Sequence, residues 1–472
     1  MSAFWTLRRV TSALGLGPDS DAPLTGVSTD TRAVQRGDLF VALAGQRFDA
    51  HDFLAEAVAK GAAAVVVRDA MRATGLGVPA FVVPDTLAAL GALGQYRRRA
   101  WARPVIAIGG SNGKTSTKEL VRAALGARLV VHATHDNLNN QVGVPLTLLA
   151  LPDDADIAVI EVGTNTPGEI SILRDIVQPD LAVVTTVQEE HLEGFGDLAG
   201  VMREEAALLD GVGVAVVPAA EQGIIDESSR RARRTICAGL AGTAGGLDAG
   251  AADQGGGLFA SAYGLHADGH GWLDVDGVRV DVPLHGLHSL RNTMLALAVA
   301  RECGISLADA AAAISKIDRH DLPQMRSAVE QLGDAILIND AYNSNPGSVR
   351  AALELLASVG GGRQRVVVLG TMRELGAQSE RAHLEVARAA LASGAQLVAG
   401  IGEFARALNA VAPGDVRVIT GGDLDDMWPR LRDRLAPDAA ILLKASRGVR
   451  LERLLPQLAD WASDQASPYL EG

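Results

Sequence analysis

The chain has 472 residues, more than one hydrophobic core ordinarily serves, and its 48% apolar and 21% charged residues describe a folded globular protein with little disorder. A net charge of −13 leaves no basic stripe to displace counterions, which argues against a nucleic-acid or anionic-membrane role and leaves any anionic ligand to local groups. The two cysteines, Cys237 and Cys303, have neither metal-ligand nor disulfide-framework spacing and read as ordinary thiols of a reducing compartment.

The opening MSAFWTLRRVTSALGLG is interrupted by Arg8 and Arg9 and lacks the apolar run of a targeting signal; it reads as a short amphipathic helix. No window approaches the roughly 20 apolar residues needed to cross a bilayer. Short apolar runs at 62–67, 105–108, 157–162 and 181–186 read as buried parallel strands. They alternate with Ala/Leu/Glu/Arg stretches such as 87–102 and 115–125 that suit helices, which is an α/β pattern. Pro104 resets the chain after the first helix-rich stretch, and AGTAGGLDAGAADQGGG at 241–257 reads as a loop or lax connection. Beyond residue 321, strands are expected at 335–338, 365–369, 396–399, 416–419 and 439–443, the makings of a small doubly wound sheet. Three domains follow, over 1–102, 103–320 and 321–472, and no repeat of 20 to 50 residues suggests a solenoid.

Between the strand at 105–108 and the next helix stand Gly110, Ser111, Asn112, Gly113, Lys114, Thr115 and Ser116. Glycines there let peptide N–H groups close around phosphate oxygens, the helix start adds favourable partial charge, Lys114 can reach terminal phosphates, and Thr115 can ligate Mg²⁺. The longer G-x-x-x-x-G-K-[ST] pattern is not met, because Ile108 occupies the first glycine position. Glu161 closes the run IAVIE at the mouth of a strand, with Glu169 close behind, where a carboxylate can hold a second cation or its water. A solvated strand end explains the same letter. His191 follows the next strand on the same face, so it reads equally as a structural histidine or a metal ligand.

The strings GVSTDTRAVQRGDLFVALAGQRFDAHDF, GGSNGKTSTKE, HDNLNNQVGVPLTLL, EVGTNTPGEI, EEHLEGFG, NDAYNSNPGSV, GTMRELG and LLKASRGVRLE occur in this order over nearly the whole chain. Together they resemble the Mur ligase family. YNSNP and ELG resemble the branch that adds a dipeptide, and the D-N-P-R string of the branch adding the third residue is not found. The resemblance implies an α/β chain of three domains: a UDP-binding N-terminal α/β domain, a central P-loop ATPase-type parallel sheet domain and a C-terminal Rossmann-like domain. It implies ATP and Mg²⁺ as cofactors, and UDP-N-acetylmuramoyl-tripeptide and D-alanyl-D-alanine as substrates joined through an acyl phosphate. A cytoplasmic monomer is expected.

Residue by residue, the resemblance sets Thr29, Asp30, Thr31, Arg32, Arg47, Asp49 and His51 near the UDP end, although a plain Asx turn explains the same letters. It sets Asn137, Asn139 and Asn140 near the muramoyl-peptide portion. Arg326, Asn339, Asp340 and Asn343 would meet the nucleotide, and Lys444 and Arg447 the incoming dipeptide or the reacting phosphate. Thr115, Glu161, His191 and Glu205 would hold metal, with Lys114, Glu161, His191 and Lys444 as the catalytic set. Glu205 stands where the family often has a carbamylated lysine. His288 is followed by Ser289 where HN is common, and Ala445 opens the usual GSR.

Overall fold

The structure, a computed structural model, describes residues 4–45, 48–242, 256–318 and 325–466. It gathers into two compact units: Met1–Ala107 with Leu129–Thr164 and Gly168–Asp180, and Ile108–Arg128 with Asn165–Pro167 and Leu181–Gly472. Most of the glycine-rich connection at 241–257, the expected boundary at 320/321, and Arg47 lie outside the described residues.

In the first unit the expected opening helix runs Leu7–Leu14. Thr6 caps it by accepting from the Arg9 N–H, and Gly15 ends it in the left-handed conformation. A parallel sheet follows in the order Val27–Ser28, Leu39–Val41, Ala64–Val67, Ala80–Val82. Leu39, Val41, Ala64 and Val66 face one core and Phe40, Val65 and Val67 the other, as a sheet covered on both sides requires. The helix Thr86–Trp101, capped by Asp85, ends just before Pro104. Its Arg98 is buried, bonding the Val177 and Gln178 carbonyls and the Asp180 carboxylate. The strand Ile157–Glu161 pairs in parallel with Val131–Ala133 and carries Glu161 to its end.

In the second unit four parallel strands run in the order Leu181–Val184, Val214–Pro218, Thr235–Leu240, Leu258–Ala260. A three-stranded antiparallel sheet, Ala262–Leu265, His270–Val275 and Val278–His285, has no counterpart in the sequence reading. The helix Leu287–Glu302 is buried on nearly every face and packs on Lys114–Gly126, the helix behind the phosphate loop. The last sheet has the order Ala328–Leu332, Ala335–Asp340, Ala440–Lys444, Arg365–Leu369, Leu397–Ile401, Val418–Gly421. Its first pair is antiparallel and the rest parallel. All five strands expected beyond residue 321 are present, Arg365–Leu369 with its expected bounds. Cys237 and Cys303 are free thiols.

Candidate functional site

The strand Val105–Gly109 delivers the chain into a loop that only glycine can make at two points. Gly110 has φ +114°, and a Cβ there would lie 2.4 Å from Thr185 Oγ1; Gly113 has φ +85°, and a Cβ there would lie 2.7 Å from Asn292 Nδ2. The helix Lys114–Gly126 then starts at Gly113 without a side-chain cap, and a helix start of that kind suits an anion. Lys114 Nζ donates to the carbonyls of Gly110 and Ser111, holding its charge over the loop.

Beneath the loop lie two buried carboxylates. Glu205 is 1% exposed, and its Oε2 accepts the Gly110 N–H at 2.7 Å. Burial raises its carboxyl above the ordinary range, against the pull of Lys114 and that N–H. Glu190 stands 3.9 Å from Lys114 Nζ; burial pushes it up to about 8, with Lys114 opposing and Glu205 reinforcing. His191 follows in the left-handed region at φ +49°, its Nδ1 paired with the carboxylate of Glu374. Glu374 is itself at φ +64°, and its carbonyl accepts the Glu193 N–H at 3.0 Å. Two strained non-glycine residues thus face each other, as functional sites often arrange. Thr115 stands second in the helix, and no group of three or more His, Cys, Asp or Glu side chains arranged to hold a metal occurs among the described residues.

Opposite the loop, Asp340 and Lys444 end neighbouring parallel strands in register and form a buried ion pair at 2.9 Å. The other Asp340 oxygen accepts the Ser327 N–H at 3.0 Å, and Lys444 also donates to the Asn343 carbonyl. Arg326 lies over the Tyr342 ring, 4.2 Å from its centre. His288 stands between these groups with Nε2 3.3 Å from Ser327 Oγ; burial pulls its imidazole down to about 4. Between loop and strand ends lies a cavity of about 330 Å³, within the range of small-molecule sites. Asn112, Gly113 and Ser116 line one side, Arg326, Asp340, Asn343 and Lys444 the other, and Thr186, Glu221 and Asn292 lie between. Gly110, Ser111, Lys114, Thr115, Asn339 and Arg447 are not among its lining residues. Asn339 is buried, and Arg447 bonds Glu452.

In the first unit the expected ligand residues are engaged close to home. Asp30 and Arg32 form a two-pronged pair, and Arg32 holds the Asp30 carboxyl down at about 2; Thr29 precedes the pair and Thr31 lies between its members. Asp49 caps the turn Ala50–Phe53 and bonds His51 Nδ1 at 2.6 Å, while His51 Nε2 accepts the Arg68 N–H. His51 is therefore a satisfied interior histidine, 5% exposed. Asn140 Oδ1 accepts from the Val142 and Gly143 N–H groups, in the turn that leads into the helix Gly143–Leu149. Asn139 donates to Glu161 Oε1 at 2.8 Å, and Asn137 accepts the Asn139 N–H on its carbonyl.

Glu190, Glu374, Asn292, Glu221 and the pairing of Asn112 with Asn345 were not singled out from the sequence. Glu190 and Glu374 fall within EEHLEGFG and GTMRELG, so their letters are visible in the sequence. Their burial and partners are not.

Three family models match in chain order: the Mur ligase family catalytic domain over residues 23–98, the Mur ligase middle domain over 108–300, and the Mur ligase glutamate ligase domain over 325–447. The chain is 34% identical to the UDP-N-acetylmuramoyl-tripeptide–D-alanyl-D-alanine ligase of Escherichia coli K12, over 96% of this chain and 98% of that protein. It is 31% identical to the ligase of the same name from Bacillus subtilis 168, over 92% and 93%. A crystal structure of MurF from Acinetobacter baumannii superposes with a TM-score of 0.85 at 29% identity, covering 97% of this chain and 99% of that one. The fold also matches MurF from Thermotoga maritima in complex with ADP, with a TM-score of 0.79 at 24% identity over 93% and 98%. Three family domains in order, with relatives matched from end to end, establish that this chain belongs to the Mur ligase family.

Proposed function

We propose that this chain joins D-alanyl-D-alanine to UDP-N-acetylmuramoyl-tripeptide at the expense of ATP, in the synthesis of peptidoglycan precursors. The observation that carries the reading is the cavity with a phosphate loop on one side and the Asp340–Lys444 pair on the other, in a chain matched end to end by ligases of that name. A carboxylate oxygen of the tripeptide attacks the γ-phosphorus of ATP and ADP leaves. The dipeptide amine then attacks the acyl carbon, loses a proton, and phosphate leaves. The protein's share is positioning and charge neutralisation. Lys114 and the N–H groups at the start of Lys114–Gly126 take the terminal phosphates, Asn112, Ser116, Arg326, Asp340 and Asn343 the rest of the nucleotide, and Lys444 the transferred group.

Mg²⁺ belongs to this reading. In the second unit the oxygens of Thr115 and Glu205, with the imidazole of His191, are donors of the kind a hard divalent cation takes, and a positive charge beside Glu205 would offset the burial that raises its carboxyl; Glu161, at its strand end in the first unit, is a further oxygen donor of that kind. Bound there, it supplies charge neutralisation at the phosphoryl oxygens. The UDP end falls to the segments around Asp30, Arg32 and Asp49, the muramoyl-peptide portion to Asn137, Asn139 and Asn140, and the incoming dipeptide or the reacting phosphate to Arg447. The three working domains are 1–102, 103–320 and 321–472, in a cytoplasmic monomer; no helix among the described residues is long and apolar enough to cross a membrane.

Incubating the protein with ATP, UDP-N-acetylmuramoyl-tripeptide and either D-alanyl-D-alanine or single amino acids, and following product mass, tests the reading. A mass gain of one dipeptide with stoichiometric ADP is expected. Gain of a single residue, or ADP without any amide, overturns it.

A further inference from the structure

Three carboxamides join the phosphate loop to the helix Pro346–Val359. Asn112 Nδ2 donates to Gln188 Oε1 at 2.9 Å and to Asn345 Oδ1 at 3.2 Å, and Asn112 Oδ1 accepts from Asn345 Nδ2 at 3.0 Å. Asn345 is 2% exposed and also caps its helix: its Oδ1 accepts the Ser348 N–H at 2.8 Å, while Ser348 Oγ accepts the Asn345 N–H. Gly347 admits the third amide, since a Cβ there would lie 1.7 Å from Gln188 Oε1. The peptide of Asn112 is held from the other side: its N–H donates to Thr186 Oγ1 at 3.0 Å and its carbonyl accepts from Thr185 Oγ1 at 2.6 Å. The backbone of Asn112 is thus committed to a strand end and its side chain to a helix 233 residues further on. Asn345 itself is not among the residues lining the cavity.

We propose that Asn345, acting through Asn112 and Gln188, is a positioning residue for phosphoryl transfer. It seats the helix Pro346–Val359 on the phosphate loop, so that the loop holds its peptide groups in the transferring arrangement only while that helix is docked. The proposal rests on the ligase reading for its catalytic consequence. Neutral amides suit such a contact. They are neither attracted nor repelled strongly by a triphosphate beside them, and each bond is worth little enough to be made and broken every turnover. A docked helix also keeps water from the acyl phosphate.

Asn345→Ser retains an N-cap acceptor and is too short to reach Asn112. With ATP, UDP-N-acetylmuramoyl-tripeptide and D-alanyl-D-alanine, kcat for amide formation is expected to fall about tenfold. The thermal midpoint should stay near that of the unaltered protein, and ADP released per amide should rise above one. In the nucleotide-free protein, hydrogen exchange should quicken both at residues 110–113 and at 346–350. An unchanged kcat with one ADP per amide overturns the proposal, as does a loss of rate that tracks a lower thermal midpoint and returns on cooling. Exchange that quickens at 346–350 alone also overturns it, because that is the mark of a cap and nothing more. Should the unaltered protein form no amide, the ligase reading fails, and the exchange measurement still decides whether the helix and loop are coupled.

Discussion

Two polar regions of this chain are built on different principles. Around residues 28–51 the partners are sequence neighbours: Asp30 with Arg32, and Asp49 with His51. Around the cavity they are far apart: Gly110 with Glu205, Asn112 with Asn345, Asp340 with Lys444. A neighbour pair forms with its own turn, and mutual attraction only deepens the ordinary charge, as where Arg32 holds the Asp30 carboxyl down at about 2. A distant pair exists only in the folded chain, where its groups are desolvated. That is where Glu190 is pushed up to about 8 and His288 down to about 4. The chemistry is tuned where the fold, and not the local sequence, brings charges together.

Breaking the distant pairs should therefore cost far more than breaking the near ones. Lys444→Met leaves Asp340 buried with the Ser327 N–H as its hydrogen-bond donor. It should destabilise the protein by about 3–5 kcal/mol in denaturant unfolding; a change below about 1 kcal/mol would mean that water reaches the pair. Lys114→Ala should lower amide formation by about 10²–10³-fold, the scale for removing one charge-stabilising donor, with little change in the unfolding midpoint. Near-normal turnover would remove the phosphate loop from the site.

His288 gives a pH signature. Its folded pKa, about 4, lies below the ordinary 6.5 because burial disfavours the imidazolium, with Arg291 and Lys444 reinforcing and Asp340 opposing. Between those values the unfolded chain binds a proton that the folded one refuses. Stability should thus fall, by on the order of 2 kcal/mol, as pH drops from about 6.5 to about 4. His288→Gln should flatten that slope; an equal slope in the variant assigns it to other groups. The smallest expected effect is at Arg32, whose pair with Asp30 is exposed. Arg32→Ala should leave the unfolding midpoint unchanged and raise KM for the UDP-linked substrate alone. A lower midpoint would show that the turn, and not ligand recognition, needs the pair.

The contrast also explains what could be read from the letters. Strands buried on both faces announce themselves as apolar runs, so Arg365–Leu369 and Val105–Gly109 were legible, and a glycine-rich turn between strand and helix betrayed the phosphate loop. The antiparallel sheet from Ala262 to His285 was not legible, because its strands mix Gly, His and Asp with their apolar residues. The order of the last sheet, in which Ala440–Lys444 inserts between Ala335–Asp340 and Arg365–Leu369, is a tertiary fact without a local signal. At the site, Lys114, Asp340 and Lys444 could be picked out by motif, but the partners Glu190, Glu374 and Asn345 depend on approaches between residues that no spacing encodes. His51 shows the converse: its letter suggested a ligand, and its ring is consumed by Asp49 and Arg68.

The facing pair His191 and Glu374, both left-handed without being glycine, has a consequence for anyone who would improve this protein. Such a backbone costs a non-glycine residue about 1–2 kcal/mol. Glycine at 374, or asparagine at 191, would relax it. Selection for heat resistance alone should thus drift toward those replacements, and toward a sturdier protein that has lost either the imidazole or its carboxylate. A library screened for thermostability should be screened for turnover in the same round.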